Sequence, residues 1–460
     1  MKSNAITING VKLKMKPVIL TLLIALVFIF NCAPLWAIDA TRKVLPKGIC
    51  FLHSEQRNLP VVKVTLLIKA SPLNEPPEKA GLANLVSELL MEGTKTRSSD
   101  QISDEWEFIG AEVYISTNND YTTMNLSVLK KDIAKGFELF SDILLNPTFP
   151  EAEIERRKDL IKGSLKQMEE SPDYVAMRKF RETIYAQHPY GRSVEGTPET
   201  LDSIKREDIV AFYKTYYRPN NSILSIVGDI TLEESIAFLN RSLSKWEEGK
   251  IPEERAFKIS ELPKTRIITI DRDLTQANII LGHLGIKRSN HDYYAVSVMN
   301  YILGGGGFAS RLMERIRDDM GLAYDVHSFF TSDKDRGVFQ VGVQTKNESA
   351  KRVIDVIVEE LKKIRKEPVS DENLKDAKAY LTGSFPRRLD TMSKIARFLT
   401  MTEFYNLGID YDRRYAEYIH SVTKDDVLMV SRKYLNPENY VLVIVADNKK
   451  TGISRNKGLE

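Results

Sequence analysis

An internal repeat constrains the fold of this chain more than any other feature of its sequence. Residues 203–229, SIKREDIVAFYKTYYRPNNSILSIVGD, align without a gap on residues 421–447, SVTKDDVLMVSRKYLNPENYVLVIVAD, at a constant offset of 218 (447 minus 229). About a third of the positions are identical, including Asp208 with Asp426. Because a repeat of this length marks a repeated structural unit, the sequence predicts two copies of one domain.

The two copies show the same order of local patterns. Strand-like runs come first, VVKVTLLIKA at 61–70 and QANIILGHLGI at 276–286, and helix-like stretches follow, EKAGLANLVSELLMEG at 78–93 and YYAVSVMNYILGGG at 293–306. Each copy closes with a helix and a final strand. The predicted fold class is therefore α+β, with two homologous α/β-sandwich domains, each a sheet packed with helices, related by internal duplication.

The domain limits are predicted from composition. At 460 residues the chain is too long for one ordinary core, and its charged, proline-bearing stretch around Pro252 is typical of a linker. We expect a first domain at 38–250, a linker at 251–264 and a second domain at 265–447. The polar tail, 448–460, is expected to fray.

The first 37 residues are typical of a secretory signal peptide. Four lysines and no acid occur among the first sixteen residues, and PVILTLLIALVFIF follows at 17–30. Cleavage after Ala37 would make Ile38 the new terminus, which predicts a periplasmic or cell-envelope protein. Two alternatives remain open: an apolar leader retained as a membrane anchor, and lipidation of Cys32.

Charge and cysteine content limit the classes of partner and of bond. Loss of the leader would change the formal net charge from +3 to about −1, which gives no reason to invoke nucleic acid. Only Cys50 would remain after cleavage, so no internal disulfide is expected.

Four motifs, in order along the chain, carry a family resemblance. They are GLA…LL.EGT at 81–94, HPYGRSVEGTPETL at 188–201, YYRPNNSILSIVGD at 216–229 and GLAYDVHSFF at 321–330. Together they resemble the pitrilysin/insulinase family of zinc peptidases, in particular its short bacterial members similar to mitochondrial processing peptidase. The resemblance implies a chain that forms half of a clam-shell peptidase around a chamber.

The metal-site positions that the resemblance implies carry no zinc ligands. The family motif H-x-x-E-H places two histidines and a catalytic glutamate on one helix. Here Asn84 stands for the first histidine, Ser87 for the glutamate and Glu88 for the second histidine. The third ligand is expected near Gly163 or Ser164, where there is no acid. We expect no zinc in this chain, a helix kept for its buried face, and these side chains lining or flanking the chamber.

The second copy keeps the remaining features of the family site. GGGGFASRLMERIRDDMGLAYDV, at 304–326, predicts a glycine loop, a helix from about Phe308 to Met320, a stop at Gly321 and a strand. The resemblance implies that Arg317 and Tyr324 stabilise the transition state and that the loop binds substrate through Gly304, Gly305, Gly306 and Gly307. From the residues alone, a connector, a solvated charge and a strand aromatic remain alternatives.

These expectations favour a division of labour between two subunits. The leading prediction is the non-zinc subunit of a heteromeric zinc metallopeptidase, whose homologous partner carries H-x-x-E-H and zinc. Its substrates would be unfolded peptides that add a strand to a sheet edge. The alternative is a catalytically inactive scaffold of an envelope complex. A stand-alone zinc peptidase with displaced ligands conflicts with the residues at 84–88.

Overall fold

The computed structural model describes residues 6–8, 11–13 and 38–453. Strands β1 (Ile6–Ile8) and β2 (Val11–Leu13) pair antiparallel. The rest of the predicted leader, including Cys32 and the cleavage site, lies outside the described residues, as does 454–460. Within the part of the chain that is described, no helix is both long and apolar enough to cross a membrane.

Two mixed sheets form the framework of residues 39–453. The first contains β3 (Thr41–Val44), β4 (Cys50–Glu55), β5 (Val61–Ile68), β6 (Glu112–Thr117), β7 (Thr122–Leu129) and β8 (Ser222–Gly228). The second contains β9 (Arg266–Asp271), β10 (Gln276–Leu284), β11 (Ala323–Phe330), β12 (Val338–Lys346) and β13 (Val441–Ala446).

The order of the strands confirms the predicted duplication. The first sheet runs β3-β4-β8-β5-β7-β6, and the second, read in the same sense, runs β9-β13-β10-β12-β11. Each sheet has one parallel pair, β4 with β8 and β9 with β13, and its other pairs are antiparallel. Strands β6 and β11 occupy equivalent outer edges.

Helices pack on both sheets. Those of the first half are α1 (Leu82–Leu89), α2 (Ser99–Phe108), α3 (Ile133–Leu145), α4 (Glu151–Met168), α5 (Pro172–Tyr185), α6 (Pro198–Ser203), α7 (Arg206–Tyr216) and α8 (Leu232–Ser242). Those of the second half are α9 (Tyr293–Asn300), α10 (Arg311–Met313), α11 (Ala350–Lys366), α12 (Asp371–Ser384), α13 (Met392–Phe404), α14 (Tyr411–Ser421), α15 (Lys424–Tyr434) and α16 (Asn448–Thr451). Wider π-type turns extend α9 over Tyr301–Gly305 and α10 over Glu314–Asp319. Single 3-10 turns occupy Pro46–Gly48, Pro72–Asn74, Pro77–Lys79, Lys130–Asp132, Pro189–Gly191, Pro219–Asn221, Gly307–Ala309, Asn347–Ser349 and Phe385–Arg388.

The repeated aspartates perform the same structural role in both halves. Asp208 accepts a 2.8 Å hydrogen bond from the backbone N–H of Lys205, and Asp426 accepts one of 2.8 Å from the backbone N–H of Thr423. Each carboxylate lies in the first turn of its helix, α7 or α15, where it closes a capping box and complements the helix dipole. The identity of the two residues therefore reflects a shared helix start.

Each sheet is covered on one face by a helix from the other half of the chain. Helix α13 packs on β8 and β5, and α5 packs on β13 and β10. The contact of α13 includes a 2.8 Å hydrogen bond from the Ser225 hydroxyl to the Ala396 carbonyl. On the other side, the buried Phe180 of α5 belongs to the core cluster of the second sheet. The predicted domain limits place α5 in the first domain, 38–250, although it covers the second sheet, and α13 in the second domain, 265–447, although it covers the first sheet. These limits remain a prediction.

The predicted start of one helix and the predicted fraying of the C-terminal tail need correction. The helix expected from Phe308 to Met320 begins at Arg311, because Gly307–Ala309 form a separate 3-10 turn. The tail expected to fray contains α16, and the backbone N–H of Asn448 donates a 3.0 Å hydrogen bond to Asp271 at the end of β9.

Candidate functional site

The three residues predicted to stand at degenerate metal-site positions have different surroundings on α1. The side-chain amide of Asn84 donates a 2.9 Å hydrogen bond to the carboxylate of Glu88, one turn further along. Ser87 is completely buried and donates its hydroxyl to the Asn84 carbonyl at 2.8 Å. Ser87 therefore faces the core, and the expectation that it lines or flanks a chamber is wrong. The α1 helix packs through its leucines into the core of the first sheet, as expected.

A cation from α4 approaches the position of the second family histidine. The Arg157 guanidinium lies 3.6 Å from Glu88 and also pairs with Glu92, which Arg156 contacts at 2.5 Å. Burial opposes the ionisation of Glu92, but the two guanidiniums outweigh it and hold its pKa below the usual range. The carboxylates of Glu88 and Glu92, which could have bound a metal, thus form ion pairs with arginine.

The donor set does not fit zinc. Gly163, the expected third position, is exposed on α4, and a Cβ added there would meet no atom within 4 Å. Zinc prefers Cys, His and carboxylate ligands, and a neutral amide with an arginine-paired carboxylate does not replace them. In residues 38–453 no group of three or more His, Cys, Asp or Glu side chains could hold a metal ion.

A buried carboxylate at the start of α1 was missed by the sequence analysis. Glu75 is almost wholly buried and accepts hydrogen bonds from the backbone N–H groups of Gly81 at 3.1 Å and Ala83 at 3.0 Å. Burial raises its pKa to about 7, against these hydrogen bonds and the nearby Arg192. Glu75 lies outside the helix it caps, so no local capping pattern identifies it.

Arg317 and Tyr324 lie close together in the second half. The guanidinium carbon of Arg317 lies 5.3 Å from the ring centre of Tyr324 and 4.5 Å from that of Phe308. Both rings are largely exposed, Tyr324 at 86% and Phe308 at 70%. The nearest acid to Arg317 is Asp318, at 3.8 Å. Because cation–π contacts use the face of the guanidinium, its N–H groups can still bind an acceptor. Phe308 was not predicted as a site residue.

The four glycines beside this stack differ in their packing. A Cβ on Gly304 would lie 2.5 Å from the Ser328 hydroxyl, and one on Gly305 would lie 2.6 Å from the Asn300 amide nitrogen. A Cβ on Gly306 would meet the Tyr301 carbonyl at 2.8 Å. Gly307 has open space around it and a φ of +57°, which favours glycine. Gly304 to Gly306 are therefore required by close packing, and only Gly307 by backbone conformation.

Tyr324 lines a polar cleft on the second sheet. The cleft has a volume of about 650 Å³ and lies between α5 and strands β10, β12 and β11. Its floor includes the amide side chains of Asn278 and Gln344, which are directly opposite each other on β10 and β12. Within the described residues no strand pairs with the outer side of β11, which borders the cleft, so an extended chain could pair with this strand and reach Tyr324.

Comparison with known proteins finds relatives over most of the chain. The family model described as insulinase (peptidase family M16) matches residues 51–198, and that described as peptidase M16 inactive domain matches residues 203–381. These matches confirm the resemblance inferred from the motifs.

Individual relatives match over most of their length. The chain is 27% identical to the uncharacterized zinc protease YmxG of Bacillus subtilis, over 77% of this chain and 86% of that protein. It is 24% identical to the non-peptidase homolog YmxG of Helicobacter pylori, over 95% and 100%. A solved peptidase M16 inactive domain from Pseudomonas fluorescens matches with a TM-score of 0.83 at 26% identity, over 91% of this chain and all of that one.

Proposed function

Because the chain belongs to the M16 family of insulinase-like peptidases, we propose that it is the non-zinc subunit of a heteromeric, processing-type zinc metallopeptidase. In this proposal a homologous partner carries H-x-x-E-H and its zinc, and this chain contributes peptide binding and transition-state stabilisation. It has no peptidase activity alone.

The observation that carries the proposal is the contrast between the two halves. In the first half, Arg157 contacts Glu88, at a position where the family resemblance implies a metal ligand. In the second half, Arg317 stacks between Phe308 and Tyr324 at the surface, with its nearest acid 3.8 Å away. Exposing two large aromatic rings brings no stability, whereas a surface that binds peptide uses them.

The chemistry proposed for this chain is electrostatic. Zinc in the partner would polarise the scissile carbonyl and activate water for attack. The Tyr324 hydroxyl and the Arg317 guanidinium would donate hydrogen bonds to the developing oxyanion or to the adjacent substrate backbone. Since the aromatic stack holds the guanidinium in place, little reorganisation is needed when charge develops.

We also propose a location in the periplasm or cell envelope. The support is the sequence of the leader, with its lysines followed by an apolar run. A cleaved signal, a lipidated Cys32 and a retained anchor all place residues 38–453 on the far side of the membrane or at its surface.

A catalytically inactive scaffold is the second candidate. The relative from Helicobacter pylori, which aligns with nearly the whole chain, is described as a non-peptidase homolog. Loss of metal ligands is equally compatible with a scaffold and with a non-zinc subunit. The exposed stack around Arg317 is what favours the subunit, because a scaffold does not need it.

The test is affinity purification of the tagged protein from its native host. Proteins in the eluate are identified by mass spectrometry, and the eluate is assayed for chelator-sensitive cleavage of unfolded peptides. We expect an H-x-x-E-H homologue in equal amount and cleavage only in the mixture. Elution alone or with unrelated envelope proteins, without such cleavage, would support the scaffold instead.

A further inference from the structure

A second polar cleft lies on the first sheet, at the position equivalent to the cleft of Tyr324. It has a volume of about 550 Å³ and is enclosed by α13 and strands β5, β7 and β6. Its floor is built from rows of directly opposed side chains. One row contains Glu112, Ser127 and Lys63, and the next contains Tyr114, Asn125 and Thr65. The site residues inherited from the family resemblance do not include this cleft.

The outer edge of this cleft is open to an extended chain. Strand β6 ends the first sheet, so one side of its backbone has no neighbouring strand in the described residues. Tyr114, in the middle of β6, is 67% exposed and lines the cleft. An extended chain can therefore enter the cleft across β6 and lie over the floor formed by β6, β7 and β5.

Two cations in this cleft are not neutralised by acids of the chain. Arg397 projects from the exposed side of α13 and forms no ion pair within residues 38–453. Lys63 donates to the Ser127 hydroxyl and likewise has no acid partner in that range. Lys394 also lines the cleft but pairs with Asp390 at 2.7 Å. The one acid in the lining is Glu112, at the outer edge.

The equivalent cleft of the second sheet has the opposite balance of charge. Its charged lining residues are Asp173, Asp325 and Lys346, together with His327. The first cleft is lined by Lys63, Lys394, Arg397 and Glu112. Because duplication gave the two clefts the same architecture, the fold does not require the positive charge of the first.

We infer that the first cleft binds an acidic, extended peptide segment, which enters across β6, lies over the strand floor and contacts Arg397 and Lys63 with its carboxylates. Arginine and lysine of this kind bind carboxylates, and the unpaired guanidinium of Arg397 can do so in a bidentate manner. The inference rests on the proposed peptide-binding function and adds a substrate class to it. The peptide would be acidic at the first sheet and uncharged or basic at the second.

The test compares labelled peptides of one length in which alternate residues are Glu, Gln or Lys. Their affinity for the full chain is measured by fluorescence anisotropy at low and high salt. We expect the Glu peptide to bind about tenfold more tightly than the Lys peptide, with the preference reduced by salt. Equal binding of the three peptides overturns the inference.

Matched variants distinguish the effect of the cleft residues on peptide binding from the effect of the net charge of the surface. Arg397→Gln with Lys63→Gln should abolish the preference for Glu, and Arg397→Glu with Lys63→Glu should reverse it. The control is Arg413→Gln with Lys351→Gln, which removes the same charges from exposed positions without ion pairs in the described residues. If the control lowers the preference as much as the cleft variant, net charge explains the binding and the inference fails.

The outcome is distinguishable from failure of the proposed function. If only the inference is wrong, the assembled complex still cleaves peptides and its turnover still depends on Arg317. Substitution of Lys63 and Arg397 then does not change the preference among the Glu, Gln and Lys peptides. Should the proposed function be wrong, the chain shows its acidic preference without any partner-dependent cleavage. Both measurements use the same protein and the same peptides.

Discussion

The guanidinium carbon of Arg317 lies 5.3 Å from the ring centre of Tyr324, across the turn that joins the α10 helix to strand β11. Gly321, with a φ of +62°, makes this turn and brings the end of the helix against the start of the strand. The two residues, seven positions apart in the sequence (324 minus 317), are therefore brought together by the helix stop at Gly321 rather than by a contact between distant segments.

Conservative substitutions of this pair test its role in catalysis. In the assembled peptidase, Arg317→Lys and Tyr324→Phe are each expected to lower kcat about tenfold or more, because each removes a preorganised donor. The Tm should stay within about 2 °C, since both side chains reach the surface. Arg315→Lys, on the same helix and paired with Asp319 at 3.2 Å, is the control. Full turnover in both site variants would show that the pair is structural only.

Metal removal should not affect the stability of the isolated chain. Chelator treatment is expected to leave the Tm unchanged, and added zinc should not raise it, because Asn84 and the arginine-paired Glu88 do not form a zinc site. Thermal unfolding and the metal content of the purified protein check this. A Tm that falls by several degrees with chelator contradicts the assignment of these residues.

The pH dependence of stability should include a contribution from Asp333. Burial and the neighbouring Asp120 raise the pKa of Asp333 to about 6, against the effect of Arg181. Since this pKa exceeds the unfolded value of 3.8, the group favours folding when protonated, and that contribution is lost as pH rises from about 4 to about 6. Asp333→Asn should therefore raise the free energy of unfolding by about 1–2 kcal/mol at pH 8 and have almost no effect at about pH 3. Urea unfolding at both pH values measures it; an equal change at both would exclude titration as the cause.

The glycine run offers a matched pair of alanine substitutions. Gly304→Ala should lower the free energy of unfolding by about 3 kcal/mol, because the new Cβ would overlap Ser328. Gly307→Ala should cost about 1 kcal/mol, since only its positive φ opposes a side chain. Urea denaturation of the two variants gives the comparison. Equal small losses would indicate that the loop is loosely packed.

The exchange of helices predicts that the two halves depend on each other. Expressed alone, residues 38–250 and 265–460 should be insoluble or aggregate, because each sheet would lose the helix that covers one face. Phe180→Ala should weaken the whole protein by about 3–5 kcal/mol and leave a single unfolding transition. Calorimetry and gel filtration test this; two independent transitions would mean that the halves are separate folding units.

Much of the fold could be predicted from short-range sequence patterns. The repeat gave two equivalent sheets because helix caps such as Asp208 and Asp426 and alternating strands depend on neighbours within a few residues. The start of α10 was misplaced by a few residues because Gly307 forms its own turn before Arg311. The candidate site could be predicted from the sequence only where its residues are close along the chain, as Arg317 and Tyr324 are. Phe308 joins them through the packing of the glycine turn, which the sequence did not reveal.

By itself, the sequence determined that an amide, a hydroxyl and a carboxylate, those of Asn84, Ser87 and Glu88, stand where the family resemblance implies two histidines and a glutamate, since side-chain chemistry needs no coordinates. Only the tertiary structure decided what surrounds them: that Arg157, 69 residues after Glu88 (157 minus 88), contacts its carboxylate, and that Ser87 is buried. It also decided that α5 and α13 each cover the sheet of the other half. Local residue propensities determine which segments form helices and strands. Which helix packs on which sheet depends instead on the burial of complementary apolar faces that are far apart in the sequence, and the spacing of residues along the chain does not show this pairing.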